Sequence, residues 1–193
     1  MTDTETKIFK DLMEVKDNPP SDYCFDDFIS KHIYTCSLGD IIRCFILMWG
    51  AIPKQYLYET YKYCLSACDP GRNYYNEFFK ADILDEILLV NKHDTVNNSV
   101  LQALVDEKGC LTIYHGHCKK TLRGSNSWTL NKDTAKWFGN RNALMKNSST
   151  YYVVTGKAFL KDIIAYITDR TEQEILVLNK NVINKTKEFF EKS

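Results

Sequence analysis

Two carboxylates separated by one residue, Glu172-Gln173-Glu174, stand directly before an apolar run over residues 175–178. If a strand begins at Glu174, side-chain alternation puts Glu172 and Glu174 on the same side of it. Like charges so placed repel, and the plain reading is a solvated strand start. The chemical reading is a carboxylate pair that handles a hydroxyl and an incoming nucleophile. Such a pair suits an oxocarbenium-like transition state, in which a fixed negative charge stabilises the positive charge that develops on the sugar.

Two further islands carry polar side chains at spacings that could line a cleft. In Ser127-Trp128-Thr129 the hydroxyls share one face of a strand and the indole takes the other. No Gly-x-Ser-x-Gly elbow surrounds Ser127, so serine hydrolase chemistry has little support, and the hydroxyls read as positioning groups beside the alternative of a strand with a core Trp. His115 and His117 flank Gly116, a residue that allows close approach of a ligand or a backbone. A His there suits a hydrogen bond to a ribose or phosphate, or a structural role. Arg123 and Gly124 fall in a basic connector that could meet a phosphate or simply face solvent. Trp137 and Phe138 are expected in the core, with a flat heterocycle as the alternative partner.

The chain that positions these groups has 193 residues, of which 44% are hydrophobic, enough for one domain or one domain with a substantial extension. Basic and acidic residues balance at 25 each, which gives no broad footprint for nucleic acid, although a local basic groove stays open. The seven cysteines have no framework-like spacing, the N-terminus lacks a signal pattern, and the longest apolar run is too short for a bilayer. These features predict a cytoplasmic protein with free, buried thiols, no metal and no membrane partner; Cys64 and Cys68 alone would be an incomplete zinc site.

Apolar periodicity predicts helices over residues 5–16, 26–34, 38–50, from 53 to near Asp69-Pro70-Gly71, 74–90 and 95–106, with 38–50 as the central buried one. After Gly109 the pattern changes. Strands are expected at 110–114, 126–130, 150–154, 162–167 and 174–178, and a helix at 132–144 capped by Asn131. Residues 182–191 read as a terminal helix or loose tail. Helices first and strands second give an α+β class, with a helical part over 1–106, integral to the fold, packed on a β-rich core over 107–193.

In order, IYHGH, SWT, AKWFGNR, DIIAY and DRTEQE resemble the motifs of the ADP-ribosyltransferase superfamily, in particular its small bacterial and bacteriophage members. The resemblance covers residues 111–178. It implies a mixed or antiparallel split β-sandwich, with NAD as co-substrate and no metal. The reaction would release nicotinamide and transfer ADP-ribose to an acceptor in an intracellular protein, bacterial or of a host cell, as an effector or toxin does. By the same resemblance Glu174 binds the ribose and stabilises the oxocarbenium ion, Glu172 handles an arginine acceptor, and Ser127 braces Glu174. His115, Gly116, Trp128, Thr129, Phe138 and Arg141 complete the NAD-binding set, and Tyr166 and Arg170 would recognise the acceptor.

One position departs from the pattern. Members with Ser-x-Thr and Glu-x-Glu usually carry Arg on the first strand, where this chain has His115; His is typical of the diphtheria-toxin and poly(ADP-ribose) polymerase branch. A neutral His keeps a hydrogen bond but gives up the permanent charge and fork of Arg. Arg123 or Arg141 would then supply the charge, or the dinucleotide would bind more weakly. NAD hydrolysis, transfer to nucleic acid and an inactive, partner-binding fold are the alternatives.

Overall fold

The computed structural model describes residues 54–66, 78–90, 95–119, 125–168 and 171–192, together with 45–46, 49–52 and isolated positions nearer the N-terminus. The helices expected over 5–16 and 26–34, most of that over 38–50, the Arg123-Gly124 connector, Cys68 and Arg170 lie outside the described residues. The chain divides into two compact units, Met1–Val90 and Asn91–Ser193.

In the first unit, helix α1 spans Lys54–Ser66 and α2 spans Ala81–Val90. Leu57, Tyr61, Cys64 and Leu65 recur at three- and four-residue intervals and are buried along one stripe of α1. Tyr61 stands edge-on to Phe45 and Phe78, which stack on each other at 5.2 Å. All three rings are fully buried. The Tyr61 hydroxyl donates to the Phe78 carbonyl, so this aromatic core leaves that polar atom satisfied.

The second unit is α+β. Helix α3, Ser99–Leu104, is shorter than its sequence pattern and begins at Asn98, whose side chain accepts from the Val100 and Leu101 amides. Six strands follow: β1 Cys110–His117, β2 Ser127–Thr129, β3 Thr150–Phe159, β4 Ile163–Ile167, β5 Glu174–Val177 and β6 Ile183–Glu191. Helix α4, Lys132–Met145, lies between β2 and β3, capped as expected by Asn131. The strands form one sheet in the order β4-β5-β2-β1-β3-β6, antiparallel at every interface. The start of β1 is pinned by Asp106, which accepts from the Cys110 and Lys108 amides and pairs with Lys157 of β3.

Two strands outrun their sequence signals. β1 continues through His115-Gly116-His117, and β3 continues to Phe159, each extended by the eight-position pairing between them. The last strand corrects the expectation of a helix or tail over 182–191. Its Lys-rich, solvent-facing sequence hides any two-residue period, yet it pairs along β3 and is fixed by cross-strand aromatics, Tyr151 with Phe190 and Tyr152 with Phe189.

Alternation gives the sheet two distinct faces. One carries Leu111, Ile113, Trp128, Val154, Tyr166 and Ile175 into a core completed by Leu101 of α3. The other carries Tyr114, Gly116 and Val153 beneath α4, together with Ser127, Thr129 and Glu174. Helix and sheet meet closely at Gly116. A Cβ there would sit 1.7 Å from the Ala135 carbonyl oxygen and 2.7 Å from the Gly139 nitrogen. The glycine is required by this approach and not by its own backbone angles.

Candidate active site

The carboxylate of Glu174 and the hydroxyl of Ser127 meet on the α4 side of the sheet. In the β2–β5 register Thr129 faces Glu174 and Ser127 faces Leu176, so Ser127 and Glu174 are diagonal neighbours on one face. Ser127 Oγ donates to Glu174 Oε1 at 2.5 Å. A hydroxyl donating to a carboxylate favours the ionised form and fixes its direction.

Thr129 does different work. Its hydroxyl donates to the Glu172 carbonyl at 2.5 Å and accepts from the Asn131 amide at 3.1 Å. Asn131 in turn caps α4 through bonds from the Asp133 and Thr134 amides. A continuous chain of hydrogen bonds therefore ties the turn before β5 to the start of α4. Glu172 is not on the strand, so the shared-side argument from alternation does not describe the pair. Gln173 has a left-handed backbone with φ 47°, and this turn directs Glu172 away from the β5 ladder.

Glu172 lines an open cavity of about 320 Å³ together with Asp133, Thr134, Trp137 and Thr171. The core expectation for Trp137 is overturned: its side is 58% exposed, because Ala135, Gly139 and Ala143 are the residues of α4 that face the sheet. Phe138 is half-buried, edge-on to Trp137 at 4.9 Å. Arg141 is exposed and lays its guanidinium 5.5 Å from the Trp137 ring centre. Asp133, Trp137 and Arg141 lie at i, i+4 and i+8 on one helix stripe, a signal present in the sequence.

His115 joins the site through the backbone. β1 and β2 pair at one register position, Tyr114 opposite Thr129. Just beyond it, His115 Nδ1 lies 3.0 Å from the Ser127 carbonyl oxygen. A carbonyl only accepts, so Nδ1 carries the proton. Burial pushes the His115 pKa down to about 4, against a smaller upward pull from this hydrogen bond. The ring is therefore neutral at physiological pH, with Nε2 as an acceptor. The ring itself stands on the face opposite Glu174, beside Trp128 at 5.5 Å and His117 at 5.3 Å.

Besides the His115 ring, three expected site residues sit elsewhere. Trp128 is buried on the face opposite Glu174, and its Nε1 has no hydrogen-bond partner among the described residues. Tyr166 is buried on that same face opposite Ile175, where desolvation raises its pKa, so it is a core residue and its side chain does not stand beside the carboxylates. Gly116 admits the helix, as its packing against α4 requires, so its closest neighbours are Ala135 and Gly139. Cys64, Cys110 and Cys118 are buried and form no disulfide among the described residues. No helix among the described residues is long and apolar enough to cross a membrane.

No protein family, no curated protein and no solved structure matches this chain.

Proposed function

We propose that the protein is a mono-ADP-ribosyltransferase that cleaves NAD at the nicotinamide–ribose bond and transfers ADP-ribose to a protein, with arginine the preferred acceptor. The observation that carries this reading is the hydrogen bond from Ser127 to Glu174. The motif resemblance assigns Ser127 to bracing Glu174, and that is a contact that neither residue's local sequence requires. The antiparallel sheet, with its single-position joint between β1 and β2, is compatible with a split β-sandwich of the same type.

The chemistry follows from the charges. As the bond to nicotinamide breaks, positive charge spreads over the ribose ring. The Glu174 carboxylate, aimed by Ser127, stabilises that charge and accepts a ribose hydroxyl proton in a hydrogen bond. Neutral His115, on the other face of the sheet, holds the Ser127 backbone through its carbonyl and so helps to position the Ser127 hydroxyl. Glu172 then takes a proton from the attacking guanidinium nitrogen as the new bond to ribose forms. Purified protein incubated with labelled NAD and a cell lysate should label protein, and Glu174→Gln should not. Absence of both label transfer and nicotinamide release from the wild-type protein sinks the proposal.

A further inference from the structure

We propose that the cavity between the first turns of α4 and the Thr171–Glu172 turn seats the acceptor's guanidinium, with Asp133 and Trp137 as the residues that select it. The inference rests on the transferase reading and adds to it two specificity residues from a helix that carries none of the paired glutamates.

The lining argues for the ligand. The cavity offers two carboxylates, two threonine hydroxyls and one indole, and no basic side chain among the described residues. Lys136 already pairs with Asp133 and Arg141 stands beside Trp137, so it is the Glu172 carboxylate, without an ion pair among the described residues, that favours a cation over a phosphate at this lining. A guanidinium presents five N–H donors in a plane and a flat cationic face. The carboxylates and hydroxyls match the donors, and the indole matches the face. An alkylammonium has no plane to stack, and a nicotinamide ring has one amide group to donate.

The partners are also poised. The Glu172 carboxylate makes no ion pair among the described residues, and its backbone is held by Thr129. Asp133 uses Oδ1 for Lys136 Nζ at 2.9 Å, and its side chain is 84% exposed, so Oδ2 can accept a further donor. Trp137 already carries one guanidinium, that of Arg141, at 5.5 Å. Asp133 and Trp137 stand one helical turn apart, so one cation can touch both.

The test uses the full chain with NAD and Nα-acetyl-arginine amide as acceptor, and Nα-acetyl-lysine amide as control. Nicotinamide release by the wild-type protein reports the transferase reading; acceptor KM against kcat reports the cavity. Asp133→Asn and Trp137→Ala should each raise KM for the arginine amide roughly tenfold with kcat within about twofold, and Trp137→Phe should fall between. Both side chains are exposed, and thermal melts check that the variants fold. NAD cleavage with an unchanged KM in both variants overturns the cavity and leaves the transferase standing. So does a wild-type protein that cleaves NAD but does not use the arginine amide. If the wild-type protein releases no nicotinamide, equilibrium dialysis decides: arginine amide retained by wild type and lost with Trp137→Ala keeps the cavity, and equal retention overturns it. Quenching, by NAD and not by arginine amide, of the part of the tryptophan fluorescence that Trp137→Ala removes also overturns it.

Discussion

Ser127 reaches Glu174 along a diagonal of the β2–β5 pair, while Thr129, which faces Glu174 directly, spends its hydroxyl on the carbonyl of Glu172. Two hydroxyls of one short strand thus fix two glutamates by different means, one through the carboxylate and one through the backbone. The division of labour separates charge placement from loop placement, and each can be tested alone.

Removing the Ser127 hydroxyl should leave Glu174 charged but poorly aimed. A hydrogen bond to a charged group contributes about 1.5–3 kcal/mol, so Ser127→Ala should slow NAD cleavage by roughly 10- to 100-fold. Glu174→Gln removes the anion itself and should cost roughly 10²–10³-fold or more. Nicotinamide release measured by chromatography checks both, with unchanged melting as the control. An Ala variant as fast as wild type would show that the contact has no role in the reaction.

His115 should govern acid stability. Its folded pKa of about 4 lies below the unfolded value of 6.5. Between these values the unfolded chain holds a proton that the folded chain does not, so stability falls as pH drops from 6.5 toward 4. The full difference is about 3 kcal/mol, at 1.36 kcal/mol for each unit of pKa. Above pH 6.5 the group contributes no slope. His115→Gln keeps a donor for the Ser127 carbonyl without a titrating ring, and should flatten the urea midpoint between pH 6.5 and 4 relative to wild type. Parallel curves for the two proteins would place the His115 pKa near its ordinary value.

Gly116→Ala should be among the most damaging single-methyl changes in the second unit. The added carbon meets the backbone of α4 at Ala135 and Gly139, which cannot rotate away as a side chain can. Overpacking of this kind costs about 1–3 kcal/mol and should shift α4 off the sheet. Urea unfolding measures the loss. A stability within about 0.5 kcal/mol of wild type, the range of a neutral surface change, would mean that the helix–sheet contact is looser than this spacing.

The local chemistry of α4, β2, β4 and β5 was legible in the chain because each has its own signal: the Asn131 cap, the Ser-x-Thr spacing and the apolar runs over 163–167 and 175–177. The α+β class followed from their order. What escaped was set by partners distant in sequence. β6 is a strand because β3 offers it an edge, and its exposed Lys and Glu residues carry no burial pattern. Trp137 looked like a core residue by type, yet small residues at 135, 139 and 143 take the buried stripe of α4. Alternation along β2 put Trp128 opposite the Ser127 and Thr129 hydroxyls, where it stands, so only the site role lent to it by the resemblance fails; Tyr166 stands on that same core face because of the β4–β5 register, which no single segment contains. The diagonal from Ser127 to Glu174 spans 47 residues and entered only through the motif resemblance.

Gln173 separates the two glutamates in function as well as in sequence. Its φ of 47° is unusual for a residue with a side chain and costs roughly 1 kcal/mol. The conformation is held from both sides, by the Thr129 hydroxyl on the Glu172 carbonyl and by the Leu130 amide on the carbonyl of Gln173 itself. Glu174 starts β5 and is aimed by Ser127, so it does not depend on this turn; Glu172 does. Gln173→Gly relieves the strain but frees the turn, and should leave NAD cleavage near the wild-type rate while raising the acceptor KM. Gln173→Val puts a β-branched residue in the left-handed region and should lower stability by about 1–2 kcal/mol, with a larger loss of transfer to arginine than of nicotinamide release. Equal losses in both reactions would show that the turn positions Glu174 as well, and that the two glutamates move as one unit.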